Sequence, residues 1–188
     1  FGFPGSWHDP GLVPLAVYSD CVRLDKPVVK IFVNCQASDP ECSLVTDMSG
    51  SEGKISDGQR GWLNFNGGGT GDSVVDWVCY GYADGVSIGR WINGEPGTTN
   101  SAMQAMHDCR LNQTIILPVY SATRPKQADS DGAGNTDYYI VGFAAFRVDE
   151  VHFAAMPKYI RGQFQRYVAT EEPGGTIDTG VRVISLKR

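Results

Sequence analysis

The sequence predicts a mainly β, α+β domain: a small antiparallel barrel or sandwich of about eight strands, with two short helices inserted in mid-chain. The 23 glycines and 10 prolines among the 188 residues punctuate the chain throughout, which favours many short elements over long helices. Short β-branched and apolar runs recur between these turns, without the strand–helix–strand alternation of a parallel fold. The apolar content of 41% is sufficient for one core, so a single domain is expected over residues 15–188.

Residues 1–14 are predicted to form an extended N-terminal arm, because each of their prolines removes a backbone donor and restricts its neighbour. Aromatic side chains in such an arm need an apolar contact. Packing on their own domain is the default expectation, and docking on another subunit is the alternative for which they are candidates. These residues are Phe1, Phe3 and Trp7.

Apolar or alternating runs predict the strands, and a long polar loop over residues 36–60 separates the second strand from the third. The first helix is predicted to have Asp72 as its N-cap and to end at Gly81, and the second to begin at Thr98 or Thr99. Pro118 lies inside a strand and indicates a sheet edge or a bulge there. The predicted strands are 12–18, 27–34, 61–66, 86–92, 114–121, 138–148, 160–168 and 180–186.

The five cysteines predict an oxidising compartment, and therefore an extracellular or cell-surface location. They form no C-x-x-C pair and no cluster with zinc-ligand spacing. Cys35 and Cys42 flank a turn, while Cys79 and Cys109 each lie near the end of a predicted helix, so we expect these two pairs to form disulfides. Pairing of Cys21 with Cys35 is equally permitted, and burial as small apolar thiols is the alternative.

Charge and hydropathy limit the classes of partner that this protein can have. A net charge of −5 argues against a nucleic-acid partner, because a nucleic-acid binder needs a basic face to neutralise phosphates. No run approaches the roughly 20 apolar residues that a membrane-spanning helix requires. The chain begins at Phe1 rather than Met, so a removed leader or a missing N-terminal anchor is expected, and any membrane attachment would be through that anchor.

A polar segment before the 138–148 strand is a candidate calcium loop, because oxygen-bearing side chains alternate along it and Gly134 stands at its sixth position. Ala133 replaces an expected ligand and Ile140 stands where a bidentate glutamate would be, so a polar hairpin loop is the favoured interpretation. Apart from this candidate calcium ion, no cofactor is expected. The candidate ligands are Asp129, Asp131, Asn135 and Asp137.

The sequence does not indicate an enzyme. It contains no nucleophile elbow, phosphate-binding loop, dinucleotide fingerprint or zinc-protease motif. His107 and Cys109 lie two positions apart on a predicted helix, which places their side chains on different faces and excludes a simple dyad. A secreted hydrolase is the least favoured alternative.

Six segments occur in a particular order and spacing. They read GWLNFNGGG at 61–69, VSIG at 86–89, EPG at 95–97, IILPVY at 115–120, YIVGFAAF at 139–146 and IRGQF at 160–164. Over roughly residues 61–168 the combination resembles the soluble domain of TadE/TadG-like proteins, bacterial proteins of Flp (Tad) pilus assembly.

That resemblance implies an exported, non-enzymatic structural or assembly protein at the cell surface, and it names no reaction. Its partners would be other protein subunits, either pilus components or copies of itself. Members of this family usually carry one membrane-spanning helix near the N-terminus, ahead of the exported region. An alternative function is a self-assembling extracellular filament subunit that docks its N-terminal arm on a neighbour, for instance by adding a strand to a sheet edge.

Overall fold

A computed structural model describes residues 11–22, 24–34, 61–67, 71–96 and 99–166. The helices are α1 (Gly71–Tyr80) and α2 (Thr99–Arg110), and a 3₁₀ turn spans Ser19–Cys21. The protein is therefore α+β and mainly β, as the sequence predicts. The strands are β1 (Val17–Tyr18), β2 (Val29–Asn34), β3 (Trp91–Asn93), β4 (Thr114–Pro125), β5 (Thr136–His152) and β6 (Lys158–Gln165).

The strands form one curled, half-barrel sheet in the order β1-β4-β5-β6-β2, with β3 pairing to β5 outside this path. All pairings are antiparallel except the short β1–β4 contact, which is parallel. The long β5 organises the sheet: it pairs with β4 along most of its length, with β3 near its start and with β6 near its end. The described residues thus form six strands, and the predicted strand at 180–186 lies outside them.

Both faces of β4 are buried over residues 115–120, because the sheet there separates two apolar clusters, whereas residues 121–125 are mostly exposed. Ile115, Leu117 and Val119 pack on the helix side with α1 and α2. Ile116 and Tyr120 point into the second cluster, which lies on the opposite face. A strand that is buried on both faces reads as a continuous apolar run, and this explains why the sequence identifies it so clearly.

Two predicted strands are shorter than expected. Of residues 12–18, only Val17–Tyr18 form a strand, while Leu12 makes an isolated bridge to Ile116. The 61–66 segment makes only isolated bridges, at Trp62 and Leu63. These two consecutive side chains are both fully buried, so the segment has no solvent face and runs through the interior instead of forming a two-sided strand.

A bulge lies close to Pro118, as one of the two interpretations of this residue predicts, although Pro118 itself pairs in register with Phe143. The β4–β5 register shifts directly after the pair formed by Val119 and Gly142, so the bulge lies next to Gly142. The edge interpretation of Pro118 is wrong, because β4 lies between β1 and β5 in the sheet.

The two helices pack together over the helix-side cluster. Arg110, at the end of α2, is buried and donates from Nε to the carbonyl oxygen of Val78 in α1, at 2.6 Å. This burial lowers the pKa of the guanidinium. α1 begins at Gly71, so Asp72, the predicted N-cap, lies within the first turn, and Gly81 follows the last helical residue as predicted. Within the described part of the chain, neither helix is long and apolar enough to cross a membrane.

Candidate functional site

A cleft of about 450 Å³ opens beside the β4–β5 hairpin, and we call it the β3 cleft. Its walls come from the 64–67 segment, from residues 85–93 before and within β3, and from the loop that joins β4 to β5. Polar and charged side chains predominate in the lining, and two aromatic rings interrupt them. The lining includes Asn66, Phe65, Arg90, Trp91, Arg124 and Asp131.

Asn93 fixes the hairpin loop against the floor of the cleft. Its side chain is buried, and Nδ2 donates to Oδ1 of Asp137 at 2.8 Å and to the carbonyl oxygens of Gly134 and Thr136 at 3.2 Å each. Its Oδ1 accepts the backbone N–H of Gly134 at 2.8 Å. Both ends of the amide are therefore satisfied by the loop, which holds the loop in one position.

Asp137 anchors the cationic wall of the same cleft. Its Oδ2 lies 3.1 Å from Nε of Arg124 and also accepts from the hydroxyl of Ser130. The Arg124 guanidinium lies 4.3 Å above the ring of Trp91, a cation–π contact. Burial alone would raise the pKa of the Asp137 carboxyl, but hydrogen bonds from Ser130, Asn93 and Arg124 outweigh it and lower that pKa.

A second buried amide–carboxyl pair lies beside the first. Asn64 donates from Nδ2 to Oε2 of Glu95 at 2.7 Å, and both side chains are buried. The backbone N–H of Asn64 donates to the carbonyl of Asn93 at 2.9 Å, which places the two pairs on adjoining segments. Burial raises the pKa of the Glu95 carboxyl, and the hydrogen bond from Asn64 only partly offsets that effect.

We expect Asn93→Ala to lower the free energy of unfolding by about 2–3 kcal/mol, because it leaves the buried Asp137 carboxylate and the Gly134 N–H without their amide partner. Urea denaturation monitored by circular dichroism measures this loss. Asn66→Ala is the matched control, since Asn66 is exposed at the rim of the same cleft. Equal stabilities for the two variants would contradict the clamping role of Asn93.

Glu95→Gln is expected to change how stability depends on pH. Because the pKa of Glu95 is raised above its ordinary 4.5 in the folded protein, its favourable contribution is present below that value and is lost as pH rises through the folded pKa. The variant should match the wild type near pH 4 and gain on it toward pH 7 in urea titrations. A pH-independent difference in stability between Glu95→Gln and the wild type would contradict the burial effect.

Asp137→Asn should show the opposite pH dependence. The pKa of Asp137 is lowered in the folded protein, so the stability that its carboxylate contributes is present above pH 3.8 and is lost in more acidic solution.

Of the four cysteines predicted to form disulfides, two lie in the described part of the chain and two lie outside it. Cys79 and Cys109 are joined, with their Cα atoms 5.1 Å apart, and so link the end of α1 to the end of α2. Cys35 and Cys42 lie outside the described residues. Cys21 is half-buried in the 3₁₀ turn.

The structure does not bring the candidate calcium ligands together. Asp129 and Asp131 line the cleft and Asn135 is exposed, whereas Asp137 is buried and bonded to protein donors, among them the Arg124 cation. The described ranges contain no group of three or more His, Cys, Asp or Glu side chains that could hold a metal ion. Loop 126–135 is instead the polar connection of a β-hairpin, the favoured interpretation of its sequence. The docking candidates Phe1, Phe3 and Trp7 lie outside the described residues.

Sequence reasoning missed the asparagines under the cleft. The predicted strand 86–92 stops before Asn93, whereas Asn93 is the last residue of β3 and is buried, and Gly94 bridges Leu63. One signal is visible in retrospect: Asn64 and Asn93 each follow an apolar residue at the end of a short segment. The role of these asparagines in joining two segments can be recognised only once it is known that the segments are neighbours.

Comparisons with protein families, with curated proteins and with solved structures find no match to this chain. The likeness to TadE/TadG-like domains is therefore a prediction that depends on the six sequence segments alone.

Proposed function

We propose that this protein is an exported, non-enzymatic structural or assembly protein of the cell surface, related to the TadE/TadG-like components of Tad pilus systems. The observation that carries this proposal is the place of the resembling residues in the fold. Glu95 of the EPG segment is buried against Asn64, Gly142 of the YIVGFAAF segment lies at a bulge, and Gly162 of the IRGQF segment lies within β6. Residues of this kind specify a sheet and its turns, which supports a scaffold role for the resembling segments.

The contacts of the two histidines in the described part of the chain support a role without catalysis. His107 has Nδ1 2.8 Å from Oδ1 of Asp108, and its ring lies 5.6 Å from that of Phe153. Cys109, its nearest candidate nucleophile in the sequence, is bonded to Cys79. His152 stacks on Tyr159, with ring centroids 5.0 Å apart. A disulfide-linked cysteine has no thiolate to offer, which argues against a His107–Cys109 dyad.

In vivo photo-crosslinking tests the proposal. A photoreactive amino acid at exposed positions of the full chain, in cells that produce it, should capture pilus-assembly proteins or further copies of this chain in the cell envelope. A buried position such as Val78 is the control and should give no crosslink to another molecule, whether a partner protein or a second copy of this chain. A broad hydrolase screen accompanies the experiment, with Cys109→Ala and His107→Ala as controls. Turnover that both substitutions abolish would overturn the proposal.

The filament alternative is tested by removing residues 1–10. The cut must stop there because Val13 is fully buried and its N–H donates to the carbonyl of Ile116 at 2.9 Å. We expect the shortened protein to keep its fold, as seen by circular dichroism. If the intact chain forms filaments under electron microscopy and the shortened chain does not, the N-terminal arm is the docking element. If both assemble equally, that mechanism is excluded.

A further inference from the structure

The β3 cleft combines a fixed polar floor with exposed polar walls. Asn64, Asn93 and Asp137 are each more than nine-tenths buried, and their hydrogen bonds lock the segments that form the cleft. Exposed side chains such as Asn66 and Ser87 stand above this floor. Small-molecule sites in proteins share this design: a preformed concavity in which a few fixed polar groups set the orientation of the ligand.

We infer that the β3 cleft binds a neutral saccharide, an activity that goes beyond the proposed structural function. Charged side chains of both signs surround the cleft: Arg90 and Arg124 stand in the lining with Asp129 and Asp131, and Asp137 pairs with Arg124 beneath it. An anion would meet these carboxylates and a cation would meet the guanidinium groups, so the lining favours a neutral ligand over a strongly charged one. It contains donors such as Arg124 and acceptors such as the carboxylates of Asp129 and Asp131, which suits hydroxyl groups because each hydroxyl both donates and accepts.

Arg124 is the group best prepared to recognise such a ligand. Its Nε is bonded to the buried Asp137 and its plane lies over Trp91, so the guanidinium is fixed before a ligand arrives. The side chain is still 32% exposed. The two Nη groups of a fixed guanidinium form a fork that can donate to two neighbouring oxygens, such as vicinal hydroxyls of a sugar ring.

The aromatic residues supply the apolar contact that a sugar ring also needs. Trp91 is 36% exposed even though Arg124 lies over its ring and Tyr139 packs 5.1 Å from it between centroids, so the exposed part of the indole is what a sugar can contact. Phe65 is half-buried and is held by Tyr82 and Trp77, at 4.8 and 5.6 Å between centroids. Aromatic side chains offer a large, rigid surface to the C–H groups of a ligand. The volume of about 450 Å³ lies within the usual range for ligand pockets and accommodates one or two sugar rings.

Two-dimensional ¹H–¹⁵N NMR titration of the full chain with cellobiose tests the inference. We expect saturable shifts of the Trp91 indole and of loop residues such as Ser130, with a Kd of about 1–10 mM that does not depend on salt. Arg124→Lys keeps the charge beside Asp137 but removes the fork, and it should weaken binding about tenfold. The control is Asp149→Asn, an exposed carboxylate on β5 that pairs with Arg147 and lies outside the cleft lining; it should bind as the wild type does.

Three results would overturn the inference. The first is the absence of saturable shifts with either cellobiose or N,N′-diacetylchitobiose up to about 50 mM. The second is a response to galacturonate that exceeds the response to both neutral sugars and disappears in salt, which would identify an anion site. The third is unchanged affinity in a folded Arg124→Lys variant, with the dispersion of the NMR spectrum showing that the variant is folded.

Discussion

Replacing Gly162 with alanine is expected to lower the free energy of unfolding by about 3–5 kcal/mol, the largest effect of any single substitution considered. A Cβ at this position would lie 1.8 Å from the carbonyl oxygen of Arg147 and 2.7 Å from Cε1 of Phe146. The first of these atoms belongs to the backbone of β5 and cannot swing away as a side chain does. Gly162 also pairs with Val148 of β5 on one side and with Val29 of β2 on the other. Accommodating the methyl group would therefore disturb both neighbouring strands.

Gly85→Ala is the matched control for this prediction. A Cβ at Gly85 meets nothing within 4 Å, and the cost there is limited to its positive φ of +74°. We expect that cost to be about 1 kcal/mol. Urea denaturation of both variants measures the difference between a steric clash and a backbone preference. Similar losses for the two variants would show that β6 does not approach β5 as closely as this structure has it.

Removing the Cys79–Cys109 disulfide should lower the free energy of unfolding by about 3–4 kcal/mol, because the bond restricts the unfolded chain over a long loop. The cysteines are 30 positions apart in the sequence. The helices should still pack when the bond is lost, because Arg110 remains bonded to Val78 and the apolar contacts between the helices are unchanged. The effect therefore lies in the unfolded state, and the circular dichroism spectrum of the folded protein should change little.

The double variant Cys79→Ala/Cys109→Ala, compared with the wild type in urea with and without dithiothreitol, measures that contribution. The reductant should lower the stability of the wild type toward that of the double variant. Cys21→Ala is the control and should respond to the reductant as the wild type does. Equal stability of the double variant and the oxidised wild type would show that the bond does not stabilise the protein.

The sequence predicted the long, self-consistent elements of the fold well. The strand predicted at 114–121 is β4 (Thr114–Pro125), and the strand predicted at 138–148 is β5 (Thr136–His152). Both segments are rich in apolar and β-branched residues, so the local preference for a strand and the burial of the side chains favour the same structure. The 61–66 and 86–92 segments were less predictable, because so short a segment takes its conformation from the elements around it. Of the latter segment only Trp91 and Ile92 belong to a strand, β3.

The cleft could not be predicted from the sequence for a related reason. Its key contacts join residues far apart along the chain: Asn93 and Asp137 are 44 positions apart, and Asn64 and Glu95 are 31 apart. Neither pair belongs to a motif with fixed spacing. The calcium interpretation assigned Asp137 to its own loop, where alternating oxygens are visible, whereas Asp137 is bonded across the sheet to β3 and to Arg124. Sequence patterns report local spacing and do not report which strands become neighbours.

The most direct test of export and a structural role is to determine where the native protein lies and in which redox state. Cells that produce it would be treated with a thiol-blocking reagent, fractionated and analysed by mass spectrometry without reduction. We predict that the chain is found in the cell-envelope or extracellular fraction, with the peptides of Cys79 and Cys109 linked. Recovery from the cytoplasmic fraction, with both thiols blocked by the reagent, would contradict export and the pilus-related function proposed from it.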